Sequence, residues 1–318
     1  MMTELSRYTG KRLLQLIPVL FGVTLLVYAL MYFSPGDPAQ KKLTAGGVAV
    51  SQEVLDAARE NMGISQSFPV QYGRWLLGAL RGDLGTSYKD GLPVIQKLGK
   101  GLKNTLILSL TSFLVSVVLA IPLGIYAALR KDKMADRMIR LLGFAGNSMP
   151  SFLIAVLLMY FFCIKMKTFP VVAHESAAGL FLPIITLALP ITGRVLRQVR
   201  AEILGELKHP YVWGARARGI REHFIIFGNV LHNVMPAILT VLGLEIGSLM
   251  TGSVVVETIF MWPGVGKLMM DSITARDYPV IQGIVIMMAV VYVLVNLAAD
   301  IGCRILDPRI QGEEEQNG

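Results

Sequence analysis

Residues 105–129 read TLILSLTSFLVSVVLAIPLGIYAAL, a run without one charged side chain. Wound as an α-helix it is about 37 Å long, enough to cross the ~30 Å hydrocarbon core of a bilayer. Five further apolar stretches of comparable length lie at 13–33, 139–164, 180–199, 236–256 and 281–303. The whole chain agrees with them: its 318 residues are 53% hydrophobic and only 16% charged, with mean hydropathy +0.57. A water-soluble globule of that composition would lack the charged surface it needs. The reading is therefore an all-α integral membrane protein with six transmembrane helices.

The net charge is +8 and the isoelectric point about 9.5. The basic residues sit in short loops between apolar runs, which makes lipid headgroups and topology the reason for them and gives no case for nucleic acid. Arg7, Lys11 and Arg12 precede a first run too long for a signal-peptide core and without a small-residue cleavage site, so it stays as the first span. Arg130, Lys131, Lys133, Arg137 and Arg140 fall between the second and third runs. Arg194, Arg197, Arg200, Lys208, Arg216, Arg218 and Arg221 fall between the fourth and fifth. The opposite short loops hold only Lys165 and Lys167, then Lys267 and Arg276. The positive-inside rule then puts both termini in the cytoplasm.

The domain reading follows. Residues 1–33 are a cytoplasmic tail and the first span, and 34–104 a small, partly helical extracytoplasmic domain in which Ser51 caps a helix through about Asn61. Residues 105–310 are a five-helix core with a cytoplasmic loop at 200–235, and 311–318 a polar disordered tail. Pro183, Pro190 and Arg194 interrupt the fourth run, and Asn147, Ser148 and Pro150 the third, so both helices should kink. Cys163 and Cys303 lie in apolar runs far apart in sequence and read as small core residues.

No energy-transducing motif is legible. In Gly264-Val265-Gly266-Lys267, Leu268 stands where a phosphate-cradling loop needs Ser or Thr, and Met261 where it needs its first glycine. His174, His209, His223 and His232 are scattered without metal-ligand spacing, and no nucleophile elbow or paired carboxylates support hydrolysis. The expectation is no catalytic residue, no metal and no cofactor. Residues 194–235 are the most unusual polar segment. Arg194, Arg197 and Arg200 lie at threefold spacing, His209-Pro210 breaks the helix, and Tyr211-Val212-Trp213-Gly214-Ala215-Arg216-Ala217-Arg218-Gly219 forms a short helix ended by Gly219 in a left-handed turn. Small residues on one side and arginines on another suit either a groove on a partner or anionic lipid.

That helix, followed by Asn229 to Pro236, resembles the cytoplasmic loop of ABC-importer permeases of the dipeptide, oligopeptide and nickel family. The resemblance covers nearly the whole chain. It includes Arg12-Leu13-Leu14, Ser34-Pro35-Gly36-Asp37-Pro38, Gly82-Asp83-Leu84-Gly85-Thr86-Ser87 and Ser148-Met149-Pro150-Ser151-Phe152. Further on come Glu257-Thr258-Ile259-Phe260-Met261-Trp262-Pro263-Gly264-Val265-Gly266, Arg276-Asp277-Tyr278-Pro279 and Leu306-Asp307-Pro308-Arg309. The resemblance implies a multi-pass permease of a prokaryotic inner membrane. Its coupling helix, with Tyr211, Trp213, Ala215, Arg216, Ala217, Arg218 and Gly219, would dock into an ATP-binding subunit. Two such subunits, a homologous second permease in a heterodimer and an extracytoplasmic solute-binding protein would complete the importer. One departure is that Trp213-Gly214-Ala215 stands where the wider importer class has Glu-Ala-Ala.

Glu245, near the middle of the fifth run, reads either as a pathway residue favouring a cationic cargo or as a hydrogen-bonded structural acid. Asn147 and Ser148 are the other pathway candidates. Asp300 and Arg304 have the spacing of an intrahelical pair. Glu257, Trp262, Pro263 and Gly264 read as an extracytoplasmic gate, a contact for the binding protein, or an interfacial anchor. The rival function is a stand-alone secondary transporter or channel, for which Glu245 would be the only mid-membrane acid. The cargo expected from the resemblance is a peptide, nickel or a chelated metal.

Overall fold

A computed structural model describes residues 2–44, 51–173 and 176–306. The expected tail at 311–318, His174 and Asp307 to Arg309 lie outside the described residues, as do the side chains of Asp300 and Arg304. Among the described residues there is no strand, only one isolated bridge between Thr86 and Pro93.

The helices, in chain order, are α1 (Met2–Phe33), α2 (Pro38–Thr44), α3 (Gln52–Asn61), α4 (Phe68–Leu80), α5 (Val94–Leu129), α6 (Met134–Ser148) and α7 (Ser151–Leu158), which runs on as a π-helical turn to Lys165. Then come α8 (Ala177–Glu206), α9 (Pro210–Ala217), α10 (Glu222–Phe224), a π-helical turn Ile225–Val230, α11 (Leu231–Ile259), α12 (Val265–Ala275) and α13 (Tyr278–Leu306). Four helices are long and apolar enough to cross a membrane, and up to six do so if each bent pair is one span. Those pairs are α1 with α2, bent by 62°, and α6 with α7, bent by 103°. The second bend falls where Asn147, Ser148 and Pro150 predict it. Met149, ahead of the proline, is extended (φ −91°, ψ 132°) because the proline ring disfavours helical backbone at the preceding residue. Pro183 and Pro190, by contrast, lie inside the unbroken helix α8.

Two compact units divide the chain. The first joins Met1–Thr105 to Pro263–Leu294. In it α5 begins eleven residues before the apolar run, since Val94 and Leu98 are buried one helical turn apart while Gln96, Lys97 and Lys100 take the other faces. Val94, Leu98, Val265, Val280 and Ile284 form its core. Val265 N–H donates to Thr105 Oγ1 (2.8 Å) and Asn104 Nδ2 to the Pro263 carbonyl (3.1 Å). The end of α1 is clasped to α4 by rings, with Tyr28 at 5.4 Å from Tyr72 and 5.7 Å from Phe68. The α3 helix starts after Ser51 as expected, but the Ser51 side chain makes no capping hydrogen bond. Asp37 serves its own helix better, accepting from Ala39 N–H (2.8 Å) and from Arg59 Nε (2.6 Å).

The second unit is built on Leu106–Trp262. Its centre is α8, whose Leu187, Ile191, Val195 and Val199 are buried in its core. Inside lipid no hydrophobic force draws helices together, so close backbone approach and hydrogen bonds hold them. Glycines provide that approach. A Cβ on Gly193 of α8 would stand 2.2 Å from the Gly143 carbonyl oxygen of α6, and one on Gly124 of α5 would stand 2.8 Å from Val199 Cβ. Ser112 and Ser116 return their hydroxyls to the carbonyls four residues back, and Ser116 also reaches the Ala188 carbonyl (3.2 Å). Leu110, Leu114 and Val118 line the exposed face of α5.

Candidate functional site

The short helix α9 is fixed from one side and bare on the other. Val212 and Ala215 are buried in the core of the second unit, while Trp213 is 62% exposed beside exposed Gly214, Ala217 and Arg218. Gly214 has open space where a Cβ would be, so nothing within the chain needs its smallness. Tyr211 is half-buried and donates to Glu206 Oε1 (2.9 Å), to which Asn233 Nδ2 also donates (2.9 Å). Burial first, and the bond to Glu206 second, push the Tyr211 phenol above its ordinary value, so it stays a neutral donor at physiological pH. This hydroxyl pins the start of α9 to the end of α8. Arg216 lies 5.6 Å from the centre of the Trp213 ring and donates from Nε to Glu222 Oε2 (3.1 Å). Gly219 ends the helix at φ +74°, and Ile220 N–H reaches back to the Ala215 carbonyl (3.2 Å). Of the seven residues read as a docking face, Ala215 points into the core and supports the helix from beneath.

A second constellation ties α6, α8 and α11 together. Arg194 donates from Nε to Glu245 Oε1 (2.7 Å), from Nη2 to Glu245 Oε2 (2.6 Å) and from Nη1 to Asn147 Oδ1 (3.1 Å). Ser248 adds a fourth bond to Glu245 Oε2 (3.1 Å). The Glu245 side chain is 10% exposed and that of Arg194 37%. A two-pronged guanidinium–carboxylate pair is among the stronger polar contacts available, and here both partners sit near the middle of long helices. Arg194 thus belongs to the bundle, although its spacing with Arg197 and Arg200 groups it with the loop. The carboxylate that alone favours a cationic cargo is neutralised, which removes the ground for that preference. Asn147 joins the cluster. Ser148 is exposed at the end of α6 and stands outside it.

Asp136 was missed by sequence reading. It is fully buried at the start of α6, where Arg200 donates twice (2.7 and 2.8 Å) and Arg140 Nε lies 3.3 Å away. Its only sequence signal is a carboxylate among five basic residues.

At the end of α11 Glu257 is fully buried and Trp262 nearly so, with Trp262 N–H donating to the Glu257 carbonyl (2.8 Å). The residue of this turn that faces outward is Met261, in left-handed backbone at φ +55°. In the first unit, Gly264 is buried. Also there, two separately noticed motifs meet. Asp277 is buried and accepts from the Ser87 hydroxyl and from Tyr88 N–H (2.8 Å), while the Arg276 guanidinium lies so close to Gly36 that a Cβ there would be 2.5 Å from its Cζ.

Residues 120–312 match the family described as binding-protein-dependent transport system inner membrane component, and residues 5–111 match its N-terminal membrane component. The glutathione transport system permease protein GsiC of Salmonella paratyphi A is 36% identical over 96% of this chain and 98% of its own length. The nickel import system permease protein NikB of Staphylococcus aureus is 37% identical over 94% of this chain and 90% of its own. Among solved structures, an inward-facing MetNI methionine ABC transporter superposes with a TM-score of 0.56 at 16% identity, over 67% of this chain and 97% of that one. That likeness is one of fold.

Proposed function

Since the chain belongs to the family of binding-protein-dependent transport system inner membrane components, and is the multi-pass permease subunit of an ABC importer, we propose that it forms half of a translocation pathway driven through α9. A homologous second permease completes the pathway, and of two ATP-binding subunits one grips the uncovered side of α9. An extracytoplasmic solute-binding protein hands over a short peptide, nickel or a chelated metal, a cargo range in keeping with relatives named for glutathione and for nickel. In this reading the chain crosses the membrane six times with both termini in the cytoplasm. Residues 34–104 are extracytoplasmic, 105–310 the permease core with its coupling loop at 200–235, and 311–318 the tail. Glu257, Trp262, Pro263 and Gly264 brace the outer mouth, while Asn147 and Ser148 border the pathway beside Glu245.

The observation that carries the proposal is the two-sided character of α9. Buried Val212 and Ala215 make the helix rigid with the second unit, while Trp213, Gly214, Ala217 and Arg218 are left uncovered. Exposed tryptophan beside arginine is the composition of an interface hot spot, and truncating such an anchor costs about 2 kcal/mol of binding. The substitution Trp213→Ala with Arg218→Glu is expected to leave the chain inserted and folded, because neither residue is buried. ATP-driven uptake into proteoliposomes is expected to fall roughly thirtyfold, the equivalent of that energy. Undiminished uptake by the double variant would overturn the assignment.

A further inference from the structure

The first unit borders an open cavity of about 970 Å³ that neither the coupling helix nor the Arg194 cluster uses. Its walls come from six places in the sequence: the end of α1 with Tyr28 and Tyr32, the start of α2 with Asp37, the end of α3 with Arg59, the face of α4, the loop holding Asp83 to Tyr88, and the start of α13 with Tyr278. The α4 contribution is ordered. Gln71, Arg74, Trp75 and Gly78 line the cavity at i, i+3, i+4 and i+7, so one helical face borders it along two turns.

The polar groups of that face are unequally satisfied. Gln71 is fully used, donating to the carbonyls of Ile64 (2.9 Å) and Gln66 (2.6 Å) and accepting from the Tyr28 hydroxyl (3.3 Å). Asp37 is likewise taken by Arg59. Trp75 Nε1 is different: it is buried with no acceptor among the described residues. A buried N–H without a partner is costly, and a native structure keeps one where something else supplies the acceptor. Next to it, Arg74 is an exposed guanidinium without an ion pair among the described residues. The indole ring is flanked by Tyr28 at 5.9 Å, and across the cavity Tyr88 and Tyr278 stand 6.4 Å apart, so apolar ring surface surrounds the two donors. At Gly85 an added Cβ would meet no atom within 4 Å, so the backbone wall there is open to a ligand.

We infer that this cavity is a binding site for a small organic carboxylate with an apolar or aromatic body, of the kind presented by the C-terminal end of a short peptide. The carboxylate pairs with exposed Arg74, a small turn of the indole brings Trp75 Nε1 onto it as a second donor, and the body stacks among Tyr28, Tyr88 and Tyr278. A lipid acyl chain is a poor occupant, because Asp37, Arg59, Arg74 and Asp83 all reach the lining. None of the lining residues is among the proposed pathway residues, and the site makes the permease itself a place where an acid is held.

The test uses the full-length chain in its purified transporter complex in lipid nanodiscs, without nucleotide and without binding protein, titrated calorimetrically with the dipeptide Ala-Phe and with its C-terminal amide. The free acid is expected to bind at least about tenfold more tightly than the amide, the difference expected for a charge-assisted hydrogen bond. Arg74→Gln is expected to weaken the acid about tenfold and to erase its advantage over the amide, and Trp75→Phe to weaken it comparably. Arg74 is exposed, so its variant carries the test even where Trp75→Phe lowers the yield of folded protein. Equal affinity for acid and amide, no measurable binding of either, or unchanged affinity in Arg74→Gln would each overturn the assignment. Binding here is read without ATP hydrolysis, so it stands or falls separately from the role of α9.

Discussion

Replacing Gly193 by valine is expected to destroy the second unit's packing. A Cβ at this position would stand 2.2 Å from the Gly143 carbonyl oxygen and 3.4 Å from Asn147 Cβ. The nearest atom is backbone, so no rotamer change relieves the clash, and α6 would have to move bodily away from α8. Overpacking of this kind costs about 3 kcal/mol or more, a large share of a domain's stability. The displaced helix also carries Asn147 and Asp136, so the bonds to Arg194 and Arg200 would lengthen with it. The measurement is the thermal midpoint and monodisperse yield of the purified permease in detergent. Gly205→Ala on the same helix is the matched control: no atom lies within 4 Å of its Cβ, and removing a helix glycine gains about 0.5–1 kcal/mol. If Gly193→Val unfolds at the wild-type temperature, the close crossing of α6 and α8 is wrong.

The ion pair between Arg194 and Glu245 gives the second large effect. Removing one charge strands the other, and breaking a buried pair costs about 3–5 kcal/mol. Arg194 keeps partial exposure, so the lower end of that range is expected for Glu245→Met, and the upper end for Arg194→Met, which leaves a buried carboxylate with only Ser248 beside it among the described residues. The double variant Arg194→Met with Glu245→Met is expected to recover most of the loss, because a buried pair replaced by apolar groups of similar volume is close to neutral. A double-mutant cycle on thermal stability therefore reads a large coupling, close to the sum of the two single losses less the small cost of the double variant. Single variants that simply add would show the two residues act independently. Transport by the recovered double variant then tells stability from function: uptake lost in a well-folded protein assigns the pair to the pathway.

Much of this architecture is legible in the linear sequence, and the reason is that lipid leaves few options. A helix must satisfy its own backbone across the hydrocarbon, so 105–129 declares itself by length and lack of charge alone. The break at Met149-Pro150 and the stop at Gly219 are equally readable, since each follows from a single residue's allowed backbone. Partnerships across distance are not. Arg194 and Glu245 are 51 residues apart and Asp136 and Arg200 are 64 apart, and no periodicity within one helix joins them. Arg194 was therefore read with the loop arginines, while Asp136 disappeared among Arg137, Arg140 and Lys133. Ser51 shows the opposite failure: the residue type and position suit a cap, yet the hydroxyl makes no capping bond. The cavity beside Trp75 assembles from six separate segments, and no pattern within any one of them announces it.

The sharp elbow between α6 and α7 also bears on how the polypeptide is made. Met149 and Pro150 leave the helical hydrogen-bond ladder, and hydrocarbon does not tolerate loose peptide groups. A nascent segment ending at Lys165 thus has no comfortable resting place in lipid when it first leaves the ribosome. Shelter arrives with α8, whose Leu189 carbonyl lies 3.3 Å from where a Cβ on Gly146 would be. Synthesis of residues 177–206 must therefore precede the final seating of residues 134–165, so this stretch matures out of the order in which it is translated.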